Sequence, residues 1–384
     1  MAFSSAVVPP DGEARENAPK GTLAANKQRN LAIDLFKCVY SLAVVLFHFD
    51  DTGVVGLRSG RFAVEFFLLC SGVFFFMAFE KSYRQGTASP YTYIWKRFCR
   101  FFPWTTTALI VSFVVVRIVV PNEHSLGYLI DRMTEDIWEL FLVKMNGLNS
   151  NRTLLNGPAW YISSLLIAEF VVFGCMLRFK RAFVDVIMPL TILMGFGYCR
   201  VMDTGSMQSW VGFTTLGTLR AYLWVCVSYY LLRISRRMKA VPFTMTGRLM
   251  LTLTELGLHA LACAFLWWYN ERPHMYFIGL CFAVALAIEF SGHSLLTNWL
   301  NPARKLIAAM GTLSLSIYLI HWPVLYYFKN VLYTKKEALF AHLGQFMVVM
   351  LICAVLHYYV TRGVIKLYRV LLPRIKRILI EEAA

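Results

Sequence analysis

The sequence predicts an all-α polytopic membrane protein, a bundle of about ten transmembrane helices with both termini cytoplasmic. Three observations predict it. Apolar residues make up 58% of the 384-residue chain and charged residues only 16%, whereas a soluble domain carries nearer a quarter charged residues. The apolar excess is gathered into separate stretches of roughly 17–25 residues, each long enough to cross a ~30 Å hydrocarbon core. Between them, Lys and Arg alternate between rich and poor loops, as cytoplasmic and external segments do.

The elements follow in order. Residues 1–28 are polar and lack an apolar h-region, so they read as a disordered cytoplasmic tail and not as a signal peptide. The membrane domain, 29–368, places spans at about 31–49, 62–80, 104–120, 158–178, 182–199, 213–232, 249–269, 275–290, 306–328 and 344–365, and 369–384 is a basic cytoplasmic tail. With the N-terminus inside, about 25 of the 38 Lys and Arg fall in cytoplasmic segments, about 10 outside and about 3 within spans. The alternation fails only at a near-even last pair, Arg304 and Lys305 against Lys329, Lys335 and Lys336, and so supports an even number of spans. The external loop at about 121–157 interleaves Glu123, Asp131, Glu135, Asp136 and Glu139 with Leu126, Leu129, Ile130, Ile137, Leu140 and Phe141. It is expected to lie at the outer interface as an amphipathic segment. No polar segment is long enough to bury a second core.

The net charge of +16 is accounted for by the basic inside loops, and no nucleic-acid-binding motif accompanies it. The nine cysteines form neither a CxxC pair nor a secreted framework and read as small packing residues. His259, His274, His293, His342 and His357 have no metal-ligand spacing, so no metal is expected.

Ionisable groups inside the spans cost several kcal/mol each and mark candidate sites. Lys37 and His48 stand eleven residues apart in the first span, nearly on one helical face and roughly 16 Å apart along the axis. Ser41 shares that stripe, and Asp34 lies one turn below Lys37, within pairing reach. Two readings stand on spacing alone: a polar line across the membrane, or a snorkelling Lys37 and an interfacial His48. Glu65, near the outer end of the second span, shares the depth of His48, where a carboxylate would fix the tautomer of an imidazole and raise its basicity. Arg97 and Arg100, three residues apart before Pro103, suit phosphate groups, and equally suit ordinary positive-inside charge. Trp160 and Tyr161 open the fourth span at the outer interface; Glu169 lies near mid-membrane, with Arg220 of the sixth span the expected counter-ion. Tyr318 and His321 fall toward the outer side of the ninth span.

Taken in order, the stretches IDLFKCVYSLAVVLFHF, FAVEFFLLCSG, YIWKRFCRFFP, NGPAWYISSLLIAE and GTLSLSIYLIHWPV resemble the acyltransferase-3 family of membrane-bound O-acyltransferases. The resemblance runs from about residue 30 to 325 and includes the ten-span layout. It implies transfer of an acyl group, commonly acetyl from cytosolic acetyl-CoA, to a hydroxyl of a cell-surface carbohydrate or its lipid-linked precursor, in a bacterial plasma membrane. The family's basic residue, ten-residue gap and histidine fall on Lys37 and His48, with lysine where most members have arginine, which keeps the charge but loses the planar fork. Its acidic residue before Phe-Phe falls on Glu65, and its Arg-x-x-Arg-like element on Arg97 and Arg100. The implied roles are His48 as general base oriented by Glu65, and Lys37, Arg97 and Arg100 toward acyl-CoA. Trp160, Tyr318 and His321 on the outer side are expected to meet the acceptor. With no hydrolase-like domain in the chain, transfer is expected to finish within the membrane domain. The competing class is a transporter or flippase for a lipid-linked saccharide, with Glu169, Arg220 and Lys37 lining its path; a non-catalytic membrane scaffold is a third.

Overall fold

The computed structural model describes residues 29–50, 57, 59–120, 125–146, 155–202, 206–268 and 274–381. The expected tail at 1–28, and Glu123 of the external loop, lie outside them. Helices dominate: α1 Leu31–Phe49, α2 Val64–Arg84, α3 Pro90–Phe113, α4 Leu126–Leu140, α5 Trp160–Arg178 and α6 Met188–Met202. They continue with α7 Leu216–Lys239, α8 Met245–Trp268, α9 His274–Ser291, α10 Arg304–Tyr327 and α11 Leu343–Glu381. A two-residue antiparallel pair, Trp210–Val211 with Thr214–Thr215, precedes α7.

Each expected span falls on one of these helices. Among the described residues, eight helical stretches are long and apolar enough to cross a membrane, and the apolar part of α9, Tyr276–Ser291, is shorter. Helix α7 spans 24 residues but carries Arg220 and Arg233 within its apolar run. Starts are set by local chemistry. The Ser89 hydroxyl accepts from the Thr92 amide at 3.3 Å, with Pro90 at the first helical position of α3, and the Thr215 hydroxyl accepts from Thr218 at 3.4 Å to open α7. Both satisfy amides that a first turn leaves orphaned.

Helix α1 lies along α10, α2 and α5 both pack on α7, α9 packs on α7 and α8, and α10 packs on α11. Lipid tails are as apolar as leucine, so close van der Waals fit and internal polar bonds hold such a bundle. Gly72 is one place where the fit depends on a missing side chain: a Cβ there would stand 2.7 Å from Cβ of Ser228, so glycine lets α2 approach α7. The Ser228 hydroxyl then donates to the Leu69 carbonyl across the same contact, at 3.1 Å. Aromatic rings fill the centre, among them Tyr40, Phe66, Phe75, Phe76, Phe79, Phe173 and Phe282, all buried. Leu193, Met194 and Val201 of α6 and Val348, Ile352 and Leu356 of α11 are exposed, a surface suited to lipid.

The segment expected at the outer interface is helical, and its acids divide between faces. In α4 the acids Asp136 and Glu139 are buried, while Leu126, Ile130, Met133 and Ile137 are exposed. The acids turn inward because each has a cation to meet. Asp136 accepts from Arg117 at 2.9 and 3.0 Å, and Glu139 from Lys144 at 3.3 Å.

Candidate active site

His48 ends α1, and the packing of α1 along α10 decides what it meets. Its ring faces His321 with centroids 5.4 Å apart and planes 28° from parallel, and meets the edge of Trp322, also at 5.4 Å. His48 is half-buried, whereas His321 is fully buried. The Lys329 ammonium donates to the His48 carbonyl at 2.8 Å and so ties the end of α1 to the segment after α10.

Around this pair, the loop before α5 interlocks with α10. Asn156 donates from Nδ2 to the Leu319 carbonyl at 2.8 Å, and the Tyr318 hydroxyl donates to the Pro158 carbonyl at 2.6 Å. Between them sits Gly157, where a Cβ would stand 3.2 Å from the Trp322 ring. Three consecutive loop residues therefore seat Tyr318, Leu319 and Trp322, and hold His321 among them. The polar inventory here has three open valences among the described residues, one of them Asn156 Oδ1. His321 Nε2 and Trp322 Nε1 are buried and have no hydrogen-bond partner among the described residues. An unpaired buried donor or acceptor costs about 1–3 kcal/mol, so such atoms mark a place a reactant or a moved side chain would occupy.

The loop is anchored from behind by Glu139, which accepts from the amides of Leu155 at 2.9 Å and Asn156 at 3.1 Å. Lys144 donates to the Asn156 carbonyl at 2.6 Å. Burial pushes the Lys144 ammonium below its usual pKa range, with Glu139 opposing the shift.

The other expected site residues are distributed elsewhere. Glu65 is bonded to Arg220 of α7, not to His48. Arg220 also lies over the Phe62 ring, 5.3 Å from its centroid. Glu169 is held by Arg97 in a two-point contact at 2.7 and 3.0 Å, not by Arg220. These pairings correct the expected Glu65–His48 and Glu169–Arg220 contacts. The reason is helix adjacency: α2 packs on α7 and α3 on α5, and shared depth cannot distinguish neighbours. The fork of Arg97 is thereby used on a carboxylate, while Arg100 is exposed. Lys37 places its ammonium 5.8 Å from the centroid of Phe74. Trp160 lies against Gly217 of α7. Of the expected acceptor-side residues, Tyr318 and His321 stand with His48, and the Tyr318 hydroxyl is occupied by Pro158.

Trp322, Asn156 and Lys329 were missed from the sequence. Trp322 directly follows His321, and Asn156 begins NGPAW, so both lay inside stretches already singled out. Lys329 offered no local signal.

Among the described residues no cluster of three or more metal-ligating side chains occurs. The profile of one protein family, described as an acyltransferase domain, matches residues 30–359. No curated protein and no solved structure matches the chain.

Proposed function

The chain belongs to the acyltransferase-3 family, and from that premise we propose that it moves an acetyl group from cytosolic acetyl-CoA to a hydroxyl of a cell-surface carbohydrate or its lipid-linked precursor, with His48 as general base. The observation that carries the reading is the His48 ring, held near the end of α1 against His321 and Trp322. An imidazole is the side chain best suited to take and return a proton near neutral pH.

In the proposed step the acceptor oxygen attacks the thioester carbonyl carbon. The carbon–oxygen bond forms and the carbon–sulfur bond breaks. The hydroxyl proton passes to His48 and is returned to the departing CoA thiolate, so no proton is gained or lost overall. Arg100 and Lys37 are assigned to the donor. Arg100 is exposed near the middle of α3, and Lys37 lies on the same helical stripe as His48, toward the opposite end of α1. Arg97 supports the site indirectly, because its guanidinium neutralises Glu169 inside the bundle. A donor reaching from the cytoplasm then meets an acceptor from the outer side along one helix.

The transporter reading loses its main support. Glu169 and Arg220, which would line its path, are engaged with Arg97 and Glu65. Purified protein given labelled acetyl-CoA and host glycans should yield a labelled glycan by mass spectrometry. His48→Ala should abolish that product while acetyl-CoA still binds. Full transfer by the variant, or movement of a saccharide across vesicles with no donor present, would overturn the assignment.

A further inference from the structure

The carboxylate expected to orient His48 is bonded to Arg220, so the imidazole needs a different hydrogen-bond partner if it is to present one defined lone pair. We propose that His321 is that partner: a positioning residue whose Nε2 accepts the N–H of His48 and thereby fixes which His48 nitrogen is free to take a proton. The inference rests on the acyl-transfer reading above.

Three observations converge on it. The Nδ1 of His321 lies 3.3 Å from the Ile317 carbonyl, one turn back in α10. A carbonyl only accepts, so Nδ1 carries the hydrogen and Nε2 carries the lone pair. That lone pair is buried and has no partner among the described residues, so His321 is an acceptor awaiting a donor. The His48 ring stacks beside it, at 5.4 Å between centroids and 28° between planes. Two imidazoles sharing one in-plane N–H···N bond of about 2.9 Å have centroids roughly 5.2 Å apart. The centroid separation therefore fits the bond once the half-buried His48 ring turns from its stacked setting to present an edge, as catalytic contacts often tighten only when reactants bind.

Trp322 Nε1 is also a nearby donor with no partner among the described residues; the remaining donors are engaged. The nearby Tyr318 hydroxyl is used on Pro158, and the Lys329 ammonium is directed at the His48 backbone carbonyl. His321 is held from three sides: by its own helix, by the edge of Tyr318 with centroids 6.0 Å apart, and by the interlocked loop that seats Trp322. A rigidly placed acceptor is what fixing a tautomer requires. A neutral imidazole differs from a carboxylate here in one respect. It orients His48 without placing a negative charge beside it.

The test compares two substitutions with opposite expected rankings. His321→Phe keeps a planar ring to pack against His48, Tyr318 and Trp322 but has no acceptor. His321→Gln loses the ring but supplies an amide oxygen. With the full-length protein in lipid nanodiscs, His321→Phe should lower kcat at least about tenfold with KM for acetyl-CoA unchanged, and His321→Gln should recover much of that loss. A packing role predicts the reverse order, and Phe at or above Gln would overturn the proposal. A second readout does not depend on activity. Solid-state ¹⁵N spectra of histidine-labelled protein, with His48 assigned by its absence in His48→Gln, should show one neutral His48 tautomer in the unsubstituted protein. They should show a mixture in His321→Phe. A mixture in the unsubstituted protein, or no change in the variant, sinks the positioning role. Absence of any acetyl-CoA-dependent product from the unsubstituted protein instead counts against the acyl-transfer reading, while the tautomer result still decides the role of His321.

Discussion

A charged side chain in this bundle is defined by its partner more than by its depth. Glu65 and Arg220 are 1% and 2% exposed, and at that burial an ion pair contributes little net stability, whereas removing one member strands the other. Arg220→Met should therefore destabilise the protein by about 3–5 kcal/mol, read as loss of folded protein in detergent melts. The paired change Glu65→Leu with Arg220→Met should recover most of it. His48→Ala, at a half-buried position bonded through its backbone, should leave the melt nearly unchanged. That contrast separates a structural carboxylate from a chemical imidazole. It also explains why sequence reasoning misjudged Glu65. An arginine 155 positions away is invisible to any local pattern.

Helix α4 shows how one element reconciles three environments. At about 100° per residue, Leu126, Ile130, Met133 and Ile137 form one stripe, Asp131 and Glu135 a second, and Asp136 and Glu139 a third. The first is exposed and apolar and the last is buried on Arg117 and Lys144. This is the arrangement of a helix lying at a membrane surface with its third face on protein. Single cysteines carrying a fluorophore at Met133 and Ile137 should be quenched by brominated lipid, and one at Asp131 should be quenched much less. Equal quenching at all three would show that the apolar stripe does not meet lipid. The amphipathic character was legible from the alternation of acids and apolar residues. Which acids turn inward was not, because Arg117 ends the preceding span and Lys144 follows α4. By holding Leu155 and Asn156 through Glu139, this element also supports the loop that seats Trp322 beside His48.

At the scale of the whole molecule, the proposed chemistry depends on sidedness. A donor bound at one end of α1 and an acceptor at the other requires the N-terminus inside. Green fluorescent protein fused at either terminus should therefore fluoresce, and alkaline phosphatase fused at either should stay inactive. Active phosphatase at the N-terminus would remove the geometry on which the transfer step relies. The charge bias between loops points to this orientation, and it is a property of sequence segments, not of packing.

What the amino-acid sequence determined alone is the position of the apolar helices and which ionisable groups lie within them. Both are local: hydrocarbon thickness sets the length of an apolar run, and an ionisable group inside such a run announces itself by its cost. What only the tertiary structure decided is who faces whom. Glu65 went to Arg220, Glu169 to Arg97, and His48 to His321, a residue 273 positions later in the chain. Helices of similar depth and apolarity are interchangeable to a one-dimensional reading. Their order around the bundle is set by close fit at places such as Gly72 on Ser228 and Gly157 on Trp322, where a few tenths of an ångström decide which surfaces can meet.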